Sequence, residues 1–220
     1  MPIYKGVNKK FFEKWSGDMA YVLGFFLADG NITKTRRGTH FLSFDSVDKK
    51  LIASIKNVLK SEHKISRRFS LNSGWYRLQI GSVEMFEDLL ALGVTQGKSN
   101  RLRLPVIPHR YIRDFIRGYF DGDGNVWTGQ RNMKMKQTNI IMQASFTSAS
   151  HDFLSHFQTL LKQQGIKGGS LFRLKNKNCS RLTLSTLDAL KLYKIMYNEP
   201  HKLYLARKKL VFEKFVKMRL

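Results

Sequence analysis

The sequence predicts an α+β protein made of one unit written twice, each copy running helix, strand, strand, helix, strand, strand, helix. Three observations predict it. First, GFFLADGNI at 24–32 returns as GYFDGDGNV at 118–126, an offset of 94 residues. Second, FDSVDKKLIASIKNVLK from Phe44 returns as FTSASHDFLSHFQTLLK from Phe146, an offset of 102. In both, apolar residues recur at i, i+1, i+4, i+7 and i+8, which is one face of an amphipathic helix. They are Leu51, Ile52, Ile55, Val58 and Leu59 in the first copy, and Phe153, Leu154, Phe157, Leu160 and Leu161 in the second. Third, 75–80 matches 179–184 at an offset of 104. Leu78 and Ile80, like Leu182 and Leu184, then point one way, while Arg77 and Gln79, like Arg181 and Thr183, point the other. Two copies are too few for a solenoid. A duplicated pseudo-dimer fits, with an N-terminal half over 1–104 (linker from about 97) and a C-terminal half over 105–220.

In chain order, Ser16 or Asp18 caps a helix running to about Ala28. Strands follow near 31–36 and 40–46 around an Arg37-Gly38 turn. A helix spans 48–60, and strands near 64–70 and 75–81 join through Asn72-Ser73-Gly74. A helix near 82–92 ends at Gly93. Pro108 suits the first turn of the helix that opens the second half. The larger insertion falls in 127–142, read as an extended polar loop or long hairpin. The tail from Tyr204 reads as a basic amphipathic helix, with Leu203, Leu210 and Phe215 expected to pack on the second half.

Charge narrows the partners. Lys and Arg number 39 against 16 Asp and Glu, a net +23, while 42% hydrophobic and 12% aromatic residues suffice for a core. A polyanion would relieve that self-repulsion. The basic residues are scattered rather than gathered on one helix, so nucleic acid is favoured over a membrane surface. The longest apolar run, Met19 to Ala28, is too short to span a bilayer. The single Cys179 excludes a disulfide framework or a cysteine-based zinc site. The N-terminal stretch lacks a secretory apolar segment. A protein inside the cell is expected, in a bacterial cytoplasm or organelle matrix. The six histidines show no zinc spacing, and His151 and His156 are five apart.

Two carboxylates stand where structure alone does not recommend them. Gly24 and Ala28 share a helix face, as do Gly118 and Gly122, so two helix backbones could approach closely. Gly30 and Gly124 suit a left-handed residue that ends a helix. Asp29 and Asp123 then fall at helix C-termini, against the negative end of the dipole, at a cost of roughly 0.3–1 kcal/mol each. A divalent cation explains the arrangement, since carboxylates and backbone carbonyls are hard oxygen ligands for Mg²⁺.

The segments Val22-Leu-Gly-Phe-Phe-Leu-Ala-Asp-Gly30 and Ile116-Arg-Gly-Tyr-Phe-Asp-Gly-Asp-Gly124 resemble the two signature motifs of LAGLIDADG homing endonucleases, and the resemblance extends over nearly the whole chain. It implies αββαββα repeats with the motif helices packed at the domain interface, and a pseudo-two-fold saddle whose antiparallel sheets lie in the DNA major groove. It also implies metal-dependent hydrolysis of both strands of a long asymmetric duplex site by a monomer. Asp29 and Asp123 would hold Mg²⁺ (or Mn²⁺ or Ca²⁺) together with the carbonyls of Ala28 and Gly122. The first motif departs from the pattern: Leu27 stands where Asp121 keeps an acid, at a position that is not the family's metal ligand. Lys98 and Lys202, at matched positions, would neutralise charge on the scissile phosphates.

Base reading would fall to the polar strand faces. Lys34, Arg36, Arg37, Ser43, Asp45, Arg67, Arg68, Arg77 and Gln79 are the contacts expected in the first half. Gln130, Arg131, Lys134, Gln143, Ser145, Thr147, Arg173, Lys175, Lys177, Arg181 and Thr183 are those expected in the second. Arg can be bidentate to guanine and Gln to adenine. Trp75 and Trp127 are expected to serve packing. The alternatives are an RNA maturase acting on a host intron RNA and a non-catalytic DNA-binding regulator on the same scaffold. An intein endonuclease is disfavoured, since the chain opens without a splicing Cys or Ser and ends Met-Arg-Leu rather than His-Asn. Encoding within a group I intron is the expectation.

Overall fold

The computed structural model describes residues 5–71, 73–97, 101–130, 140–175 and 177–219. The order is α1 (Gly17–Asp29), β1 (Gly30–Lys34), β2 (His40–Ser46), α2 (Lys49–Val58), β3 (Ile65–Ser70), β4 (Ser73–Gly81) and α3 (Val83–Ala91). The pattern then repeats as α4 (Ile112–Asp123), β5 (Gly124–Gln130), β6 (Ile140–Ser148), α5 (His151–Gln163), β7 (Ser170–Arg173), β8 (Ser180–Leu184) and α6 (Thr186–Tyr197). A last helix, α7 (Ala206–Lys217), follows. The two sheets are antiparallel and have the same order, β1-β2-β4-β3 and β5-β6-β8-β7.

The local signals work as capping chemistry predicts. Ser16 accepts from Met19 N, Asp48 from Leu51 N, Ser82 from Met85 N and Ser150 from Phe153 N. The entry into α2 and α5 is duplicated in detail: Ser46 Oγ accepts from Asp48 N, and Ser148 Oγ accepts from Ser150 N, each at 3.1 Å. Gly38, at φ +80°, turns the chain between β1 and β2, and Gly93, at φ +87°, ends α3. In β4, pairing already begins at Ser73, so the β3–β4 turn is tighter than 72–74.

Contacts divide the chain into two compact units. One comprises 1–122 with 202–204, the other 123–201 with 205–220. In the first, Ile32, Leu42, Phe44, Leu78 and Ile80 form the buried side of the sheet, with Leu51, Ile52 and Ile55 of α2 and Met85, Phe86 and Leu89 of α3 also in the core. In the second, Met142, Ala144, Phe146, Leu182 and Leu184 are buried, as are Phe153, Leu154 and Phe157 of α5 and Leu192 and Met196 of α6.

The first unit also contains α1 and most of α4, and these two helices touch backbone to backbone. A Cβ on Gly118 would stand 2.0 Å from the Tyr21 carbonyl oxygen, and one on Gly24 2.3 Å from that of Phe115. Gly122 meets the Ala28 methyl in the same way. No larger residue fits these positions unless the helices move apart.

Two expectations need correction. Gly30 is extended (φ −93°, ψ 163°), and Gly124 is not among the positive-φ glycines. The chain runs straight from helix into strand, and Gly30 is needed because a Cβ would strike the Phe26 ring at 2.3 Å. Leu210 is 48% exposed, because α7 buries the face carrying Lys208, Phe212 and Phe215. Leu203, ahead of α7, is buried as expected, and its carbonyl accepts from Arg117 Nε at 3.0 Å, within the 105–220 half.

Candidate nucleic-acid interface and metal-binding helix ends

Strand register assigns each predicted contact to a face, because residues paired across an antiparallel ladder point the same way. On the first sheet, the face opposite the core carries the rows Asn31–Ser43–Gln79 and Asp45–Arg77–Ser66, with Arg68 opposite Trp75. On the second it carries Asn125–Ser145–Thr183–Ser170 and Thr147–Arg181–Phe172, with Gln143 opposite Trp127. Ser43, Asp45, Arg68, Arg77, Gln79, Gln143, Ser145, Thr147, Arg181 and Thr183 thus lie on polar faces.

Ser43 and Ser145 are nonetheless buried within those faces. Ser43 Oγ donates to the Asn31 carbonyl at 3.4 Å. Arg36, Arg37, Lys175 and Lys177 are exposed in turns beyond the strands. Lys34, Arg67, Gln130 and Arg173 have the opposite parity, on the side that carries the helices, yet all four are exposed. Arg67 lies over the Phe69 ring at 4.7 Å, itself an exposed side chain. Arg131 and Lys134 lie outside the described residues, as does Lys98.

Sequence reasoning missed members of these faces. Asn31 and Thr33 extend the first; Asn125 and Trp127 extend the second. The repeated Asp-Gly-Asn at 29–31 and 123–125 was the available signal. Trp127 is 48% exposed, and its ring lies where a Cβ on Gly129 would be, so it stands on the sheet surface instead of in a core. Trp75 is half-buried.

Asp29 and Asp123 are the last residues of α1 and α4 and are half-buried, as are Ala28 and Gly122. Among the described residues there is no cluster of three or more His, Cys, Asp or Glu side chains able to hold a metal. A cation at either helix end would therefore take no more than two such side chains, with carbonyls and water completing its shell. That donor set suits Mg²⁺, which keeps several waters and binds few carboxylates. It does not suit zinc.

Asp121 is 2% exposed and accepts from the Tyr21 hydroxyl at 2.6 Å, joining α4 to α1. Arg117 is buried beside it, with its guanidinium 5.3 Å from the Tyr21 ring centroid and donating to Asp114 at 2.6 Å. Leu27, at the equivalent place in α1, is buried and apolar. Lys202 is exposed in the segment ahead of α7.

The LAGLIDADG-like domain family matches the chain twice, over residues 16–92 and 110–194. Among solved structures, I-SmaMI bound to an uncleaved DNA target in the presence of calcium ions is similar at TM-score 0.60 and 14% identity, over 93% of this chain and 90% of that one. The LAGLIDADG meganuclease I-AabMI bound to uncleaved DNA is similar at TM-score 0.61 and 14% identity, over 90% and 88%. Mesophilic variants of the homing endonuclease I-DmoI give 0.57 and 15%, over 83% and 92%. Two curated proteins of Methanocaldococcus jannaschii also match in part. DNA-directed RNA polymerase subunit Rpo1C is 28% identical over 113 residues, half of this chain. Replication factor C small subunit is 27% identical over 114 residues, 51% of this chain. The match spans only 13% and 6% of those relatives' lengths. Among the described residues, no helix is long and apolar enough to cross a membrane.

Proposed function

The chain belongs to the LAGLIDADG-like domain family, and on that premise we propose that it is a site-specific endonuclease that cuts both strands of a long, asymmetric DNA duplex. The observation that carries this reading is the duplicated helix end: a small-residue helix face closing on an aspartate, twice, in a chain of net charge +23. A protein that only bound DNA would gain nothing from two carboxylates at helix C-termini. The DNA named with I-SmaMI and I-AabMI supports the same substrate class.

In this reading Asp29 and Asp123 hold divalent cations, Mg²⁺ in the cell, with the carbonyls of Ala28 and Gly122. When bound, such a cation supplies Lewis-acid stabilisation of charge on the phosphate and lowers the pKa of a water. The carboxylates act as ligands and not as general bases. Lys98 and Lys202 offset charge on the phosphates to be cut. The two repeats, 1–104 and 105–220, each read part of the target through a polar strand face, in a single chain working as a monomer. Unequal halves suit a non-palindromic site, as an intron-encoded enzyme would need.

Asp29→Asn and Asp123→Asn are each expected to abolish Mg²⁺-dependent double-strand cutting while binding to the same duplex stays within a few fold. Normal cutting by both variants would show that the ligand assignment is wrong.

A further inference from the structure

Arg77 and Arg181 hold equivalent places in the two repeats, and each lies between two cross-strand neighbours: Asp45 and Ser66 for Arg77, Thr147 and Phe172 for Arg181. The pairs with Asp45 and Thr147 are the ones that decide charge. The two pairs differ in chemistry. Arg77 donates from Nε to Asp45 Oδ1 and from Nη2 to Oδ2, both at 2.7 Å. Both side chains remain about one-third exposed, at 32% and 29%. An exposed pair of this kind adds little stability. Its larger consequence is orientation.

A guanidinium carries five N–H donors. The fork to Asp45 uses one on Nε and one on Nη2. Nη1 and Nη2 still present one N–H each along the outer edge, a parallel pair that matches O6 and N7 of guanine. The carboxylate also cancels the charge that would otherwise draw Arg77 toward a phosphate. Among the described residues Arg181 has no such clamp. Thr147 is uncharged, and Arg181 Nε is buried without a hydrogen-bond partner.

Resting on the reading of the chain as a DNA endonuclease, we propose that Asp45 is a positioning residue that clamps Arg77 as a guanine reader. The first sheet then discriminates strictly at one base pair, while Arg181 makes the second permissive at the pair it meets.

The test is base preference, position by position, from binding of the full chain to a randomised duplex library with Ca²⁺ as the only divalent cation. Asp45→Asn and Arg77→Lys should each lower the preference for guanine about tenfold at one and the same base pair and leave other positions unchanged. Asp45→Glu should restore most of it. Thr147→Asp should sharpen preference at one other base pair. A profile unchanged in Asp45→Asn, or changed at a different position from Arg77→Lys, overturns the clamp while leaving the endonuclease reading intact. Absence of sequence-selective binding by the unaltered protein overturns both.

Discussion

Tyr21 and Asp121 lie one hundred residues apart in sequence and share a hydrogen bond in the core of the first unit. Removing one partner of a buried hydrogen bond costs about 1–3 kcal/mol, so Tyr21→Phe should cost that much in urea unfolding, with the denaturant slope unchanged. The acid at position 121 was legible as the motif acid that Leu27 replaces in the first copy, but its partner was not, because no local pattern links a tyrosine to a carboxylate on another helix. His63 makes a second single-residue case. Burial, with Lys5 and Lys56 adding to it and Glu62 opposing, holds its imidazole below the ordinary 6.5. The folded chain therefore binds this proton less readily than the unfolded chain. The resulting stability is complete above about pH 6.5 and is lost as pH falls through the lower folded value. His63→Gln should flatten that part of the stability profile, read as urea midpoints between pH 8 and 5.

At the scale of elements, the close approach of α1 and α4 sets the strictest requirement. Gly118→Ala gains about 1 kcal/mol of helix propensity, yet its methyl would fall on the Tyr21 carbonyl. Overpacking costs about 1–3 kcal/mol and more where backbone must move, so the variant should unfold at lower urea than the parent. A rise in midpoint would show that the helices are less tightly opposed. The glycines at 24, 118 and 122 were legible from spacing alone, because only small residues at i and i+4 permit such contact. The role of Gly30 was not, since the clash with Phe26 arises from a helix passing directly into a strand. The repeated helices and strands were readable from periodicity and caps. The faces of Lys34, Gln130 and Arg173 were not, because they depend on ladder register at strand ends, where alternation has too few residues to declare itself. Nor was that of Arg67, because β3 is exposed on both sides from Arg67 onward and shows no alternation there.

For the molecule as a whole, the charge of +23 gains a location. Arg68, Arg77 and Arg181 stand on polar strand faces, and Arg36, Arg37, Lys175 and Lys177 stand in the turns beyond them. Binding to a duplex should weaken steeply with salt, with log K falling by about 0.9 per phosphate neutralised for each unit of log salt. Replacing Arg36 and Arg37 by Gln should make that slope shallower by about 2. The most direct measurement of the central claim is cleavage itself: the intact protein, a randomised duplex library and Mg²⁺, with the cut ends sequenced. Double-strand breaks at one family of related sequences, lost on chelation and lost in Asp29→Asn and Asp123→Asn, are the predicted result. No metal-dependent double-strand break at any sequence would contradict it.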